Sequence, residues 1–149
     1  MARIKNALTS YFVGELPLTG TVEADTATLE LAKWITTVTD DSDETVETTA
    51  FYDGDGTAIQ DVTGVSKIYT FEGMFDVEDP AMKFISDKEF ALGNDRKIAF
   101  RQVRTDGSVL YGPATVTGIK VTGGVAEEYA TFECAIAWDA IPTIVPATI

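Results

Sequence analysis

Apolar and polar side chains alternate along residues 68–77. Tyr69, Phe71, Gly73, Phe75 and Val77 fall on one face, and Ile68, Thr70, Glu72, Met74 and Asp76 on the other. A period of two predicts a β-strand that lays an aromatic row against a core. The strand reads as starting near Gly64 and running straight into a helix over 80–92. Asp79 has the side chain to cap the first free amides, Pro80 suits the first helical position, and Gly93 is placed to end the helix. Ala81, Ile85 and Leu92 share one helix face, with Met82 and Phe84 at its edges. Phe90 points the other way, so either the helix stops before it or Phe90 is an exposed apolar residue.

The same alternation marks the last third of the chain. Arg96–Arg104 reads as a strand, and Asp106-Gly107 is a two-residue hairpin signal. Val109–Thr122 reads as a strand interrupted near Gly112-Pro113 and Gly118. After a turn at Gly123-Gly124, Glu127–Trp138 places Ala130, Phe132, Cys134, Ile136 and Trp138 inward. These three strands predict an antiparallel meander. Earlier, Thr45–Tyr52 alternates Val46, Thr48, Ala50 and Tyr52 against Thr45, Glu47, Thr49 and Phe51. Thr28–Thr39 reads as a β-branched strand anchored by Trp34, with a short helix as the alternative. Residues 1–33 are the least regular part, with a strand candidate at Tyr11-Phe12-Val13 and a turn over Glu15–Gly20. The expected fold is mainly β: one antiparallel β-sandwich or barrel-like domain over residues 1–149, flanked by one helix.

Three segments resist this pattern. Residues 53–64, DGDGTAIQDVTG, fail as a calcium loop, since Thr57, Ala58 and Gly64 stand where an acid, a glycine and a glutamate are needed. They read as a long excursion between strands, with Gly54 and Gly56 at positive φ. Asp40–Glu44 reads as a solvated acidic loop. The closing segment Ala140–Ile149 is apolar and rich in proline, so it packs either on its own domain or on a neighbouring subunit.

Composition narrows the chemistry. The chain has no histidine and a single cysteine, Cys134, which reads as a buried small hydrophobe. No Ser-His or Cys-His pair, glycine-rich phosphate loop or metal-ligand spacing is present, so no catalytic residue, cofactor or metal is expected. Net charge is −13, against binding a nucleic acid through its phosphates. No apolar run is long enough to anchor the chain in a membrane, and the start does not read as a signal peptide.

Three stretches carry a resemblance: TVETTAFYDGDGTAIQDVTGVSKIYTFEGMFD (45–76), DPAMKFI (79–85) and EEYATFECAIAWDAIP (127–142). In pattern, residues 30–142 resemble the major tail protein, or tail tube protein, of long-tailed phages. That resemblance implies a virion protein made in the bacterial host cytoplasm. Its subunits would form hexameric rings, stacked with other tail proteins into a tube through which DNA passes without specific binding. Within such a tube, Glu47, Glu72 and Glu133, with Thr49, Thr70 and Thr131, are expected to face the bore; the alternative is that they face outward and serve solubility. Asp53, Gly54, Asp55, Gly56 and Ile59 are expected at contacts between rings, and Ile141, Ile144 and Val145 at contacts between subunits. A carbohydrate- or surface-binding module, such as an adhesin or receptor-binding domain, is the second reading, and would need an aromatic platform from Tyr52, Tyr111 and Tyr129. A different tail or neck component on the same fold is a third.

Overall fold

The computed structural model describes residues 3–146. Ten strands and one α-helix follow in order: β1 (Ser10–Glu15), β2 (Leu29–Glu30), β3 (Ile35–Asp40), β4 (Asp43–Ala50), β5 (Ala58–Ser66), β6 (Ile68–Met74), α1 (Pro80–Ser86), β7 (Lys97–Val103), β8 (Val109–Lys120), β9 (Thr131–Trp138) and β10 (Thr143–Val145). Eight of them make one antiparallel sheet in the order β2-β1-β7-β8-β9-β6-β3, with β10 on the free half of β8. β4 and β5 pair only with each other. The expected class, mainly β with one flanking helix, is what forms.

The sheet curls until its two sides meet. Tyr11 on β1 and Phe71 on β6 lie four strands apart, yet their rings touch edge-on at 5.0 Å. Phe100 on β7 sits between them, within 6.5 Å of Tyr11, Tyr69, Phe71 and Trp138. Inward residues of β6 and β9 are those the alternation assigned: Tyr69 and Phe71, then Phe132, Cys134 and Ile136. Ala81, Met82 and Ile85 of α1 close the core from one side. Burial pushes the Cys134 thiol up to about 12, so it stays protonated and packs as an apolar group.

Several boundaries differ from the sequence reading. The strand from Gly64 is broken at Lys67, where the chain leaves β4 and joins β9. The Lys67 carbonyl accepts from the Trp138 amide at 3.1 Å, and the Ile68 carbonyl from Asp41. Thr28–Thr39 splits into β2 and β3 because Trp34 takes φ 65°. Trp34 is therefore about half exposed and does not anchor the core. The acidic loop shrinks to Asp41-Ser42, and β9 starts at Thr131 rather than Glu127.

The helix starts as expected, with Asp79 accepting from the Met82 amide, but it ends at Ser86 instead of Leu92. Arg96 reaches back to the carbonyls of Ala91 and Glu89 at 2.8 and 2.6 Å, and this holds the following segment as turns. Phe90 and Leu92 are left exposed, so both alternatives for Phe90 hold together. Gly93 has positive φ but opens a short 3-10 turn, well past the helix end. β8 runs unbroken through Gly112-Pro113, and its one irregularity is at Gly118, where φ is 60°.

Candidate functional site

The most exposed part of the fold is the β4–β5 arm. Every residue of β4 is exposed, and of β5 only Gly64 is partly covered. Eight paired residues carry it roughly 27 Å beyond the sheet at ~3.4 Å per residue. The alternation read in Thr45–Tyr52 is real, but neither face meets a core. Residues 53–64 are not one long loop. Tyr52–Gly54 turns at the tip, Asp55 and Gly56 adopt positive φ, and Ala58 onward returns as β5. Asp53, Gly54, Asp55 and Gly56 thus form the arm's tip, and Ile59 lies exposed on its return strand. Positive φ falls on Asp55 rather than Gly54.

The residues expected at a bore divide into two groups. Glu72 and Glu133 are direct cross-strand partners on β6 and β9, Thr131 stands opposite Met74, and Thr70 lies one outward position from Glu72. These four share the sheet face that points away from the aromatic core. Lys120 meets Glu133 at 3.8 Å, which offsets part of the repulsion between two facing carboxylates. Glu47 and Thr49 are elsewhere, on the arm, opposite Asp61 and Ile59.

The C-terminal segment pairs with its own chain through β10, with Thr143, Ile144 and Val145 opposite Tyr111, Leu110 and Val109. Its backbone is docked while the side chains of Ile141, Ile144 and Val145 remain exposed. Residues 147–149, which belong to the same expected contact, lie outside the described residues. Tyr52, Tyr111 and Tyr129 do not form a common platform. Tyr52 is at the arm tip, Tyr111 on β8 beside β10, and Tyr129 just before β9.

The sequence reading missed a cleft beside Trp34. It holds about 480 Å3 between Trp34, Met74, Phe75, Asp76, Val77 and Tyr129. An adjoining depression of about 700 Å3 shares Met74 and Tyr129 and adds Glu72, Glu127, Glu128 and Glu133. Trp34 is held in its unusual conformation from three sides. Its carbonyl accepts from the Met74 amide at 3.0 Å, its indole donates to Asp76 at 3.0 Å, and Lys33 pairs with Asp76 at 3.5 Å. The Glu78 amide, then the indole and Lys33, hold the Asp76 carboxyl below the usual carboxylate range. Gly73 makes this approach possible, because a Cβ there would lie 2.1 Å from the Trp34 carbonyl oxygen. Gly73→Ala is expected to part β3 from β6 and cost about 1–3 kcal/mol in urea denaturation, with a changed Trp34 emission. Unaltered stability would mean that the edge strand yields freely.

No group of three or more potential ligands for a metal ion occurs among the described residues, and none of their helices is long and apolar enough to cross a membrane. No protein-family description matches the sequence, and no curated protein does. Solved structures do match, over nearly the whole of both chains. A chain from the tail of an empty gene transfer agent particle, refined helically with C6 symmetry, superposes with a TM-score of 0.68 at 15% identity, covering 96% of this chain and 99% of that one. A chain of the native gene transfer agent virion gives 0.64 at 12% identity, covering 96% and 99%. One from the sheath-tube complex of an extracellular contractile injection system in its extended state gives 0.53 at 14% identity, covering 97% and 92%. The chain has the fold of these particle components.

Proposed function

We propose that this protein is a structural, non-enzymatic subunit of a tail tube. Hexameric rings of it would stack into a conduit for genomic DNA within a virion. The observation that carries this reading is the exposed arm on a fold shared, end to end, with chains of tail particles. An arm of this length without core of its own can bury its exposed apolar side chains only against another molecule. The outer edge of β3 also lacks a strand partner among the described residues, and closure of subunits into a ring covers such edges. Electron microscopy of the purified protein tests the reading. Tubes or six-fold rings are expected, and monodisperse monomers that bind glycans would favour a surface-binding module instead.

Within the tube, the Glu72/Glu133 face with Thr70 and Thr131 lines the bore, while Glu47 and Thr49 belong to the arm. DNA carries about one charge per ~1.7 Å of axis, so a wall of like charge keeps it centred and hydrated. Screening limits the effect to roughly 8–10 Å, which leaves the bore residues to act rather than the net charge. Glu72→Lys with Glu133→Lys should still assemble but slow DNA ejection, most strongly at low salt. Unchanged ejection kinetics would place this face outside the bore.

Ile141, Ile144 and Val145 contact a neighbouring subunit, and the tip residues Asp53–Gly56 with Ile59 contact the next ring. Ile141→Asp with Ile144→Asp leaves the β10 backbone pairing available. Assembly is expected to weaken while monomer stability stays within ~0.5 kcal/mol, the range of ordinary surface changes. A larger loss in the monomer would show that these side chains serve their own domain.

A further inference from the structure

We infer that the acidic, aromatic-lined cleft at Trp34 and Tyr129 receives the segment Arg3–Leu8 of a second copy of this chain. The inference deepens the self-assembly reading above and rests on it. The Leu31 amide donates to the Tyr11 carbonyl at 2.8 Å, and Ala7 and Thr9 line a cavity with Ala32, Ile35 and Thr36, so the segment runs beside the β2–β3 connection that carries Trp34. It does not enter its own cleft, whose lining among the described residues contains none of residues 3–8. A contact between two such unlike surfaces is heterologous, the kind that closes into rings or propagates into filaments.

Charge selects the occupant. The cations nearest the cleft are already engaged, Lys33 with Asp76 and Lys120 with Glu133. Glu127 and Glu128 have no cationic partner among the described residues, and they border an apolar floor that includes Met74 and Tyr129. The arm tip is a poor match, because residues 43–66 contain Asp43, Glu44, Glu47, Asp53, Asp55 and Asp61 but no lysine or arginine. The segment Arg3–Leu8 has the complementary chemistry. Arg3 and Lys5 make no ion pair among the described residues, and Ile4 and Leu8 are 66% and 64% exposed. Two cations spaced around an apolar side chain fit a carboxylate rim around an aromatic floor, where Arg and Lys also gain from the ring faces. Trp34, pinned half-exposed in a strained conformation, supplies that floor.

The test has two arms. An N-acetylated peptide of residues 3–10 is titrated into the wild-type protein, and indole emission and heat are followed. Saturable binding is expected, with the emission change absent in Trp34→Phe and affinity reduced at least about tenfold by Glu127→Lys with Glu128→Lys. In the second arm, Arg3→Glu with Lys5→Glu abolishes assembly in the full chain, and adding the two glutamate reversals restores it. Absence of peptide binding, or binding indifferent to the glutamate reversals, overturns the inference. So does cleft binding of an oligosaccharide in place of the peptide. Tubes that persist in the Arg3/Lys5 variant would sink the cleft assignment and leave the tube reading standing. A wild-type protein that binds the peptide yet never assembles would sink the tube reading and leave the cleft assignment.

Discussion

Removal of the β4–β5 arm is expected to leave a folded monomer that no longer assembles. Asp43 and Ser66 are cross-strand partners at its base, so residues 44–65 can be replaced by Asn-Gly, which turns such a pair tightly. The removed segment contains no buried residue and no part of the aromatic core. Unfolding free energy should therefore change by no more than ~1 kcal/mol, as for other surface alterations. Assembly should be lost outright, because the arm's Val46, Phe51, Ile59, Val62 and Val65 stay exposed in their own subunit, even where Val46 and Val62 face each other across the arm. Sedimentation and electron microscopy report the second effect, and urea denaturation the first. Normal tubes from this variant would refute the arm's role. A large drop in stability would show instead that the arm supports the sheet.

The largest effect on stability is expected from Phe100→Ala. Its ring is fully buried and lies between both sides of the curled sheet, 4.8 Å from Trp138 and within 6.5 Å of Tyr11, Tyr69 and Phe71. Four rings cannot collapse into the space without moving the strands that carry them. The cost should fall in the ~3–5 kcal/mol range of buried Phe→Ala changes. Against a total stability of about 5–15 kcal/mol, that takes much of the margin. The urea midpoint should fall with little change in slope, as expected when stability alone has changed. Phe90→Ala is the control, since that ring is 89% exposed and its loss should cost almost nothing. A Phe100→Ala loss below ~1 kcal/mol would mean that the sheet's two sides are held together by something other than these rings.

Local pattern determined much of this molecule. Strict alternation in β6 and β9 assigned Tyr69, Phe71, Phe132, Cys134 and Ile136 to the core, because a strand's side chains can face only two ways. Asp79-Pro80 marked the helix start and Asp106-Gly107 the β7–β8 turn, since both rest on backbone chemistry within a few residues. Gly118 marked the irregularity in β8 for the same reason. Where an element ends, and what its faces meet, depended on distant partners. The helix stops early through Arg96, ten residues past its last turn, and β5 parts from β6 because β9 captures the chain at Lys67. Alternation in β4 marked a strand with two distinct faces, and only the tertiary structure shows both of them bare. Trp34 read as an anchor because large aromatics usually are buried. Its exposure follows from a φ of 65° and a glycine 39 residues later, Gly73, that lets its carbonyl in. Glu72 and Glu133 become neighbours for a similar reason, since register joins residues that are 61 apart in the chain. Alternation specifies which side a residue takes, whereas the choice of neighbour belongs to long-range pairing, which no local window contains.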